Sequence, residues 1–421
     1  VTRLLRNVGA LYALQVSNYL LPLVSLPLLT RGLGLEGFGR FSVAMAAGQY
    51  LSMVTDWSFN IDATRAIAHD GSARNVRRVF WRTQCARCLL GGLAMTAWAA
   101  ACLLIWNDGH DEGHQRWVYL TAVTSVIATL LTPTWLFQGL QRLELSSMAA
   151  IVTRIVGVGL LALYVHDPSD DALAVLITNG ATAAGGLVAM AVIARRGELR
   201  FERFDPRDSL RAIGRGASVF GSLLISTAYV TATIPVVRLL TSEAAAGAYA
   251  AAERLVRTVT TMPMPISQAI FPEMARRLGV DLQSARGLMR RTLVWMGGIG
   301  GAATLALVAG APVLVQVLFG SRYADAAQLI QLLAPLPFLI AVSNVIGLQI
   351  LLACGRRRAF AGCLMLGAFG YLASVAPLTS HWGTAGAAMA VVLAELLVTA
   401  SMAMMLFRGP PFHGPVAEGT R

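Results

Sequence analysis

The sequence contains no lysine; all 34 of its basic residues are arginine. A P-loop needs a lysine amine on the nucleotide phosphates, so this chain is no P-loop ATPase and must draw energy from another source. Charge of either sign is scarce. Only 13% of residues are charged while 56% are hydrophobic, against about a quarter charged in a soluble chain. The five cysteines, Cys85, Cys88, Cys102, Cys354 and Cys363, include one CxxC pair and no second pair, which gives neither a disulfide framework nor a zinc ribbon. His110 and His114 stand four apart beside Asp108, Asp111 and Glu112, but Gly109 and Gly113 interrupt the stretch. It reads as a solvated loop rather than a metal site. No Ser/His/Asp set is recognisable, so neither a catalytic residue nor a metal or cofactor is expected and the chain is read as a non-enzyme.

What is present is a series of long apolar runs, with a mean hydropathy of +0.62. A bilayer crossing takes about 20 residues, and backbone groups in lipid must be satisfied within the segment, so these runs are predicted helices. The expected fold class is an all-α polytopic membrane protein of about twelve spans, at 8–29, 38–59, 86–106, 117–138, 146–165, 172–194, 217–240, 247–271, 293–319, 327–353, 359–380 and 383–407. Arg3 and Arg6 precede the first run and no small-residue cleavage pattern ends it, which predicts a retained helix rather than a signal peptide. The connections alternate in charge: 26 arginines, including Arg65, Arg82 and Arg87, fall in one set, and 4, Arg31, Arg40, Arg116 and Arg322, in the other. The positive-inside rule then sets both termini in the cytoplasm of a plasma membrane. It also accounts for the net charge of +12 without a nucleic-acid partner.

A shift of 208 residues lays the first two spans on the seventh and eighth: Pro27 on Pro235, Gly39 on Gly247, Phe41 on Tyr249, Ser25 on Thr233 and Asn60 on Gln268. With an even number of spans per half, the repeats are parallel, which predicts a substrate site between two lobes that alternate access. The domains expected are a six-helix lobe at 1–194, an Arg-rich cytoplasmic linker at 195–216, a second lobe at 217–407 and a cytoplasmic tail at 408–421.

Charged residues inside spans are costly, about 2.5–3.5 kcal/mol each at mid-helix on the insertion scale. At 100° per residue, Gln49, Ser52, Asp56 and Asn60 share a face of the second span. Glu253, Arg254, Arg257, Thr261 and Gln268 share one of the eighth, Ser218, Ser222, Tyr229 and Thr233 one of the seventh, and Asn7, Asn18, Pro22 and Ser25 one of the first. These repeat-related faces are candidates to line one cavity. Glu253 could neutralise Arg254 or Arg257, and an excess guanidinium remains either way; its fork suits phosphate. Arg154 and Arg238 lie inside other spans; Arg238 could snorkel to the interface. Glu395 could pair with Arg154, exchange a proton, or simply pack among small residues, and Asp56 is a second candidate for proton or sodium coupling. Pro22 and Pro27, Pro263 and Pro265, and Pro335 and Pro337 should interrupt their helices, either as hinges or to fit the packing.

Pro27-Leu28-Leu29-Thr30-Arg31-Gly32-Leu33-Gly34 followed by Gly37-Phe38-Gly39 resembles the first-loop signature of bacterial polysaccharide transporters. So do Asp56–Ala68, with Asn60, Thr64-Arg65 and Ile67-Ala68 in order, Phe137-Gln138-Gly139, and Pro272. The chain is identified as resembling the O-antigen flippase type, within the multidrug and oligosaccharidyl-lipid exporter superfamily. It departs from the pattern at Trp57-Ser58, where glycine is common. The resemblance implies a V-shaped two-lobe fold, a cationic cavity, and an undecaprenyl-diphosphate-linked oligosaccharide flipped from the cytoplasmic to the outer leaflet for surface polysaccharide biosynthesis. On that reading Arg254 and Arg257 hold the diphosphate, Arg31 and Arg65 serve the two ends of the path, and Asn60, Gln49, Gln268 and Tyr229 line the glycan cavity. Asp56, Glu253 or Glu395 couples the motion to a proton or sodium ion. A monomer working beside glycan polymerase and export machinery is the expected setting. A drug or cation antiporter of the same superfamily and a membrane glycan polymerase or ligase are the alternatives. The first needs acids in excess, and the second a sizeable outer loop.

Overall fold

The computed structural model describes residues 2–105, 110–195, 197, 199–280 and 282–407; it describes no side chains for 2–19, 105, 110–112, 222, 223, 225–230, 268, 269, 272, 275, 278–280, 282 and 357. Every regular element among the described residues is helical, and the chain divides into two compact units, Val1–Pro235 and Val236–Arg421. The first contains α1 (Thr2–Asp56), α2 (Phe59–His69), α3 (Ala73–Ile105), α4 (His110–Leu120), α5 (Thr124–Leu131), α6 (Thr134–Gly139), α7 (Leu143–Tyr164), α8 (Asp171–Arg195) and α9 (Pro206–Thr231). A short α10 (Thr233–Leu240) carries the boundary. The second contains α11 (Glu243–Thr261), α12 (Met264–Val280), α13 (Leu282–Leu318), α14 (Ala326–Leu333), α15 (Leu336–Asn344), a π-helical turn at Val345–Leu352, and α16 (Arg357–Phe407).

The boundary between units differs from the linker at 195–216. Residues 206–216 open α9, whose Ser209 hydroxyl donates to the Arg82 carbonyl of α3 at 2.9 Å. The part of the seventh proposed span that α9 carries therefore belongs to the first unit, and the boundary falls within that span's last turns. The tail at 408–421 lies outside the described residues.

Two of the longest helices hide a turn. α1 breaks at Gly34 (φ 64°, ψ −168°) and α16 at Gly383 (φ 58°, ψ −136°), both at junctions of proposed spans. Only glycine adopts such angles freely. Beside the first of these turns, a Cβ on Gly37 would lie 2.6 Å from the Pro168 carbonyl oxygen, so close backbone approach also demands glycine there. Pro22 and Pro27, by contrast, lie inside α1 without breaking it, which corrects the interruption expected at that pair. Pro263 and Pro335 do coincide with breaks, between α11 and α12 and between α14 and α15. Seven helices among the described residues are long and apolar enough to cross a bilayer. One of these, Arg358–Leu406, contains the Gly383 turn.

Large apolar side chains face outward along these helices, among them Leu104, Trp117, Leu163, Trp295, Leu305 and Phe369. In water such a surface would drive aggregation; in lipid it is the proper exterior. This is a multi-pass membrane protein. Within the first unit, the Arg-rich connections meet at one end: Arg74 pairs with Glu202 at 3.3 Å, and Asp208 takes Arg78 at 3.3 Å and Arg211 at 3.1 Å. Arg40 lies at the other end, where buried Asp171 receives its Nε at 2.5 Å and His114 Nε2 at 2.9 Å. His114 thus sits on α4 and ties it to α8, a correction to the solvated loop expected there. The side chain of His110 lies outside the described residues.

Candidate functional site

α1 ends at Asp56 because Trp57 turns the chain with φ 48°, a conformation that costs a side-chain-bearing residue about 1–2 kcal/mol. Glycine would adopt this angle without strain; the tryptophan is compensated by its contacts. The Trp57 ring stacks on Phe220 of α9 (centroids 3.9 Å apart, planes within 11°), and its Nε1 donates to the Ile213 carbonyl at 2.9 Å. The residue that strains the turn also fastens α9 to it.

The turn separates Asn60 from the helix that carries Ser52 and Asp56, yet the polar residues still meet. Arg87 Nη2 donates to Asp56 Oδ1 at 2.7 Å and to the Thr129 carbonyl at 2.6 Å, and its Nη1 donates to Gln84 Oε1 at 3.2 Å. Asn60 Nδ2 donates to Asp56 Oδ2 at 3.2 Å and Thr134 donates to Asn60 Oδ1 at 3.1 Å. Thr129 donates to Ser52 Oγ at 2.8 Å. Placed from the sequence in a basic connection, Arg87 is instead wholly buried on α3. The available signal was an arginine at the second residue of the proposed third span, matched in the second span by a single acid, Asp56. Two of the stretches that carry the family resemblance, Asp56–Ala68 and Phe137–Gly139, pack on each other here. The Thr64 hydroxyl donates to the Trp135 carbonyl at 3.2 Å, and Gly139 lies so close to Ile67 that a Cβ would be 2.8 Å from it.

In the second unit, α11 buries Ala246 through Ala252, Leu255, Val256 and Thr258. Small residues let its neighbours approach closely. Glu253, Arg254 and Arg257 share one face of the helix, where Arg257 is exposed and Glu253 mostly covered. Glu253 accepts a hydrogen bond from Arg257 Nη2 one turn on. Arg254 is half-buried, and among the described residues no carboxylate lies within ion-pair distance of it. Two guanidiniums against one carboxylate leave the face with surplus positive charge.

The structure places the other candidates as follows. Arg31 and Gln49 are exposed on α1, and Arg65 is exposed on α2. Glu395 is half-buried on α16, Arg154 half-buried on α7, and Arg238 bonds Glu243 at 3.2 Å. The side chains of Tyr229 and Gln268 lie outside the described residues. Within each unit, then, the structure joins Asp56 with Asn60 and Glu253 with Arg257.

These features stand beside a direct match in sequence. The family profile described as polysaccharide biosynthesis protein matches residues 4–277. The chain belongs to this family. Relatives of this polysaccharide biosynthesis protein include the "Putative O-antigen transporter" of Escherichia coli (strain K12), 29% identical over 402 residues, 95% of this chain and 96% of the relative. A protein of the same name from Shigella dysenteriae is 22% identical over 397 residues, 94% of this chain and 98% of the relative. In fold the family member is similar to the lipid II flippase MurJ in an inward closed conformation (TM-score 0.72, 8% identity, 96% of this chain and 88% of that one). It is also similar to an inward-facing multidrug resistance MATE family transporter of the MOP superfamily (TM-score 0.69, 13% identity, 93% and 94%). The chain therefore has the all-helical fold of these transporters.

Proposed function

We propose that the protein is a flippase that carries an undecaprenyl-diphosphate-linked oligosaccharide from the cytoplasmic to the outer leaflet of a bacterial plasma membrane, for O-antigen or related surface polysaccharide. The observation that carries this reading is Arg254: a half-buried guanidinium without an ion pair among the described residues, one turn from the exposed Arg257, on a face of α11 that has one carboxylate, Glu253, for the two. A guanidinium stays charged and binds a phosphate through parallel N–H bonds, so this face favours an anionic cargo over a cationic drug. The transporter names of the relatives, and the flippase among the fold neighbours, support the same reading.

In this mechanism Arg254 takes the diphosphate first. Glu253 holds Arg257 in reserve; a proton or sodium ion arriving at Glu253 releases Arg257 to the second phosphate, which couples the ion to the cargo. Asp56 is already engaged by Arg87, and Glu395 is the other acid to test for coupling. The protein does no covalent chemistry. It works as a monomer with cytoplasmic termini, handing its product to glycan polymerase and export machinery.

The test is export of glycan in cells that lack the native transporter. Each charge-assisted bond is worth about 1.5–3 kcal/mol. R254Q should therefore lower export at least about tenfold at normal protein level, and R254Q/R257Q should abolish it. Full export by the double variant would remove this face from the mechanism.

A further inference from the structure

A second cationic site lies wholly within the first unit. α2, α3 and α9 line a partly open cavity of about 320 Å³ whose charged lining is Arg82 and Arg215 against the single carboxylate of Asp62, with Phe59, Thr83 and Ala212 supplying its walls. That volume is at the lower end of small-ligand sites. The guanidiniums are not engaged in ion pairs among the described residues. Arg82 Nε is buried with no hydrogen-bond partner, and Arg215 gives only a long 3.4 Å bond from its Nε to the Arg211 carbonyl. Asp62 does not use them either; it accepts from Ser58 Oγ at 2.9 Å. The neighbouring Asp208 is occupied by Arg78 and Arg211. Four guanidiniums thus surround two carboxylates, and one buried donor is unanswered.

An unanswered buried donor costs about 1–3 kcal/mol, and clustered guanidiniums repel one another. A tetrahedral oxyanion removes both costs, because its oxygens accept from several N–H groups at once. We infer that this cavity binds a phosphate group, with Arg82 and Arg215 as its ligating side chains. The site lies at the end of the unit where the Arg-rich connections meet, so the phosphate could be that of an anionic lipid headgroup or of a soluble phosphate. Neither the cavity nor its ligands belong to the α11 face, so the inference stands or falls apart from the transport reading.

The experiment uses the full chain in detergent micelles, with phosphatidylglycerol retention read by native mass spectrometry and pyrophosphate binding by equilibrium dialysis. The native protein should bind at least one of the two probes. Binding of phosphatidylglycerol alone assigns the lipid source; pyrophosphate alone, or displacement of the lipid by it, assigns the soluble one. R82Q/R215Q should lower binding about tenfold, while R195Q, at the exposed end of α8 and outside the cavity, should leave it unchanged. D62N removes the only lining carboxylate and should raise affinity about fivefold. That gain keeps the test decisive if the arginine variants fold poorly. Absence of binding by the native chain, equal loss in R82Q/R215Q and R195Q, or weaker binding by folded D62N would overturn the inference.

Discussion

The Asp56–Arg87 pair offers a quantitative test of how the first unit is held together. Asp56→Asn keeps the shape and an acceptor oxygen but removes the charge opposite an arginine whose side chain is 1% exposed, whereas Asp56 itself is 31% exposed. Stranding a buried charge costs about 3–5 kcal/mol, and the stranded group here is the more buried of the two. Arg87→Met keeps the bulk and strands Asp56 instead, which water reaches; it also loses the bonds to Thr129 and Gln84. About 2–3 kcal/mol is expected for that variant. Since each single change leaves a group that the other removes, D56N/R87M should cost about as much as R87M alone, a coupling equal to the D56N cost of about 3–5 kcal/mol. Denaturant unfolding of the purified protein in micelles, followed by tryptophan fluorescence, measures all three. Additive losses would refute the reasoning. Export separates structure from coupling: if the pair is only structural, D56N loses export in proportion to protein abundance.

Trp57 gives an inverted order. Both truncations lose the stacking on Phe220 and the bond to Ile213, but only glycine relaxes the positive φ. W57A should therefore unfold more readily than W57G, by about 1 kcal/mol. At the second hidden turn, a Cβ on Gly386 would run into the Leu378 carbonyl, while one on Gly362 would meet nothing. G386A should cost about 1–3 kcal/mol in the same unfolding assay, and G362A should be neutral or stabilising by up to about 1 kcal/mol. At the exposed turn before α8, Asp170 Oδ2 accepts the amides of Asp167 and His166, each at 3.0 Å, and these bonds hold its carboxyl below the ordinary value of 3.8. The unfolded chain therefore takes up this proton first as pH falls. The contribution of Asp170 is complete above its unfolded value and is lost as pH drops through the folded one. The unfolding midpoints of D170N and the native protein should differ near neutral pH and converge in acid.

The helical class and most helix positions were legible because lipid permits few alternatives. Gly34 was legible as part of a glycine-rich stretch. The pairing of polar residues was not, because it depends on distances along the chain that periodicity does not report. Asp56 and Arg87 are 31 residues apart, and His114 and Asp171 are 57 apart. Arg87 was counted with the connections because it follows a run of arginines; the helix simply continues through that run from Ala73. The projected face of the second span ran unbroken past Trp57, since nothing in the residue itself announces a positive φ. On α11 the projected neighbours Glu253 and Arg257 do pair, but the helix ends at Thr261, so the face drawn on to Gln268 crosses a break that periodicity did not report.

The joints at Gly34 and Gly383 replace loops with one residue each, and this leaves the chain no spare length at those points. Adding one residue after Gly34 would turn the following helix by about 100° and push it about 1.5 Å along its axis. Arg40 would swing away from Asp171 and Asp56 from Arg87 in a single step, and Phe38 and Phe41 would leave the core. Insertions tolerated elsewhere, for epitope tags or reporter fusions, should fail there.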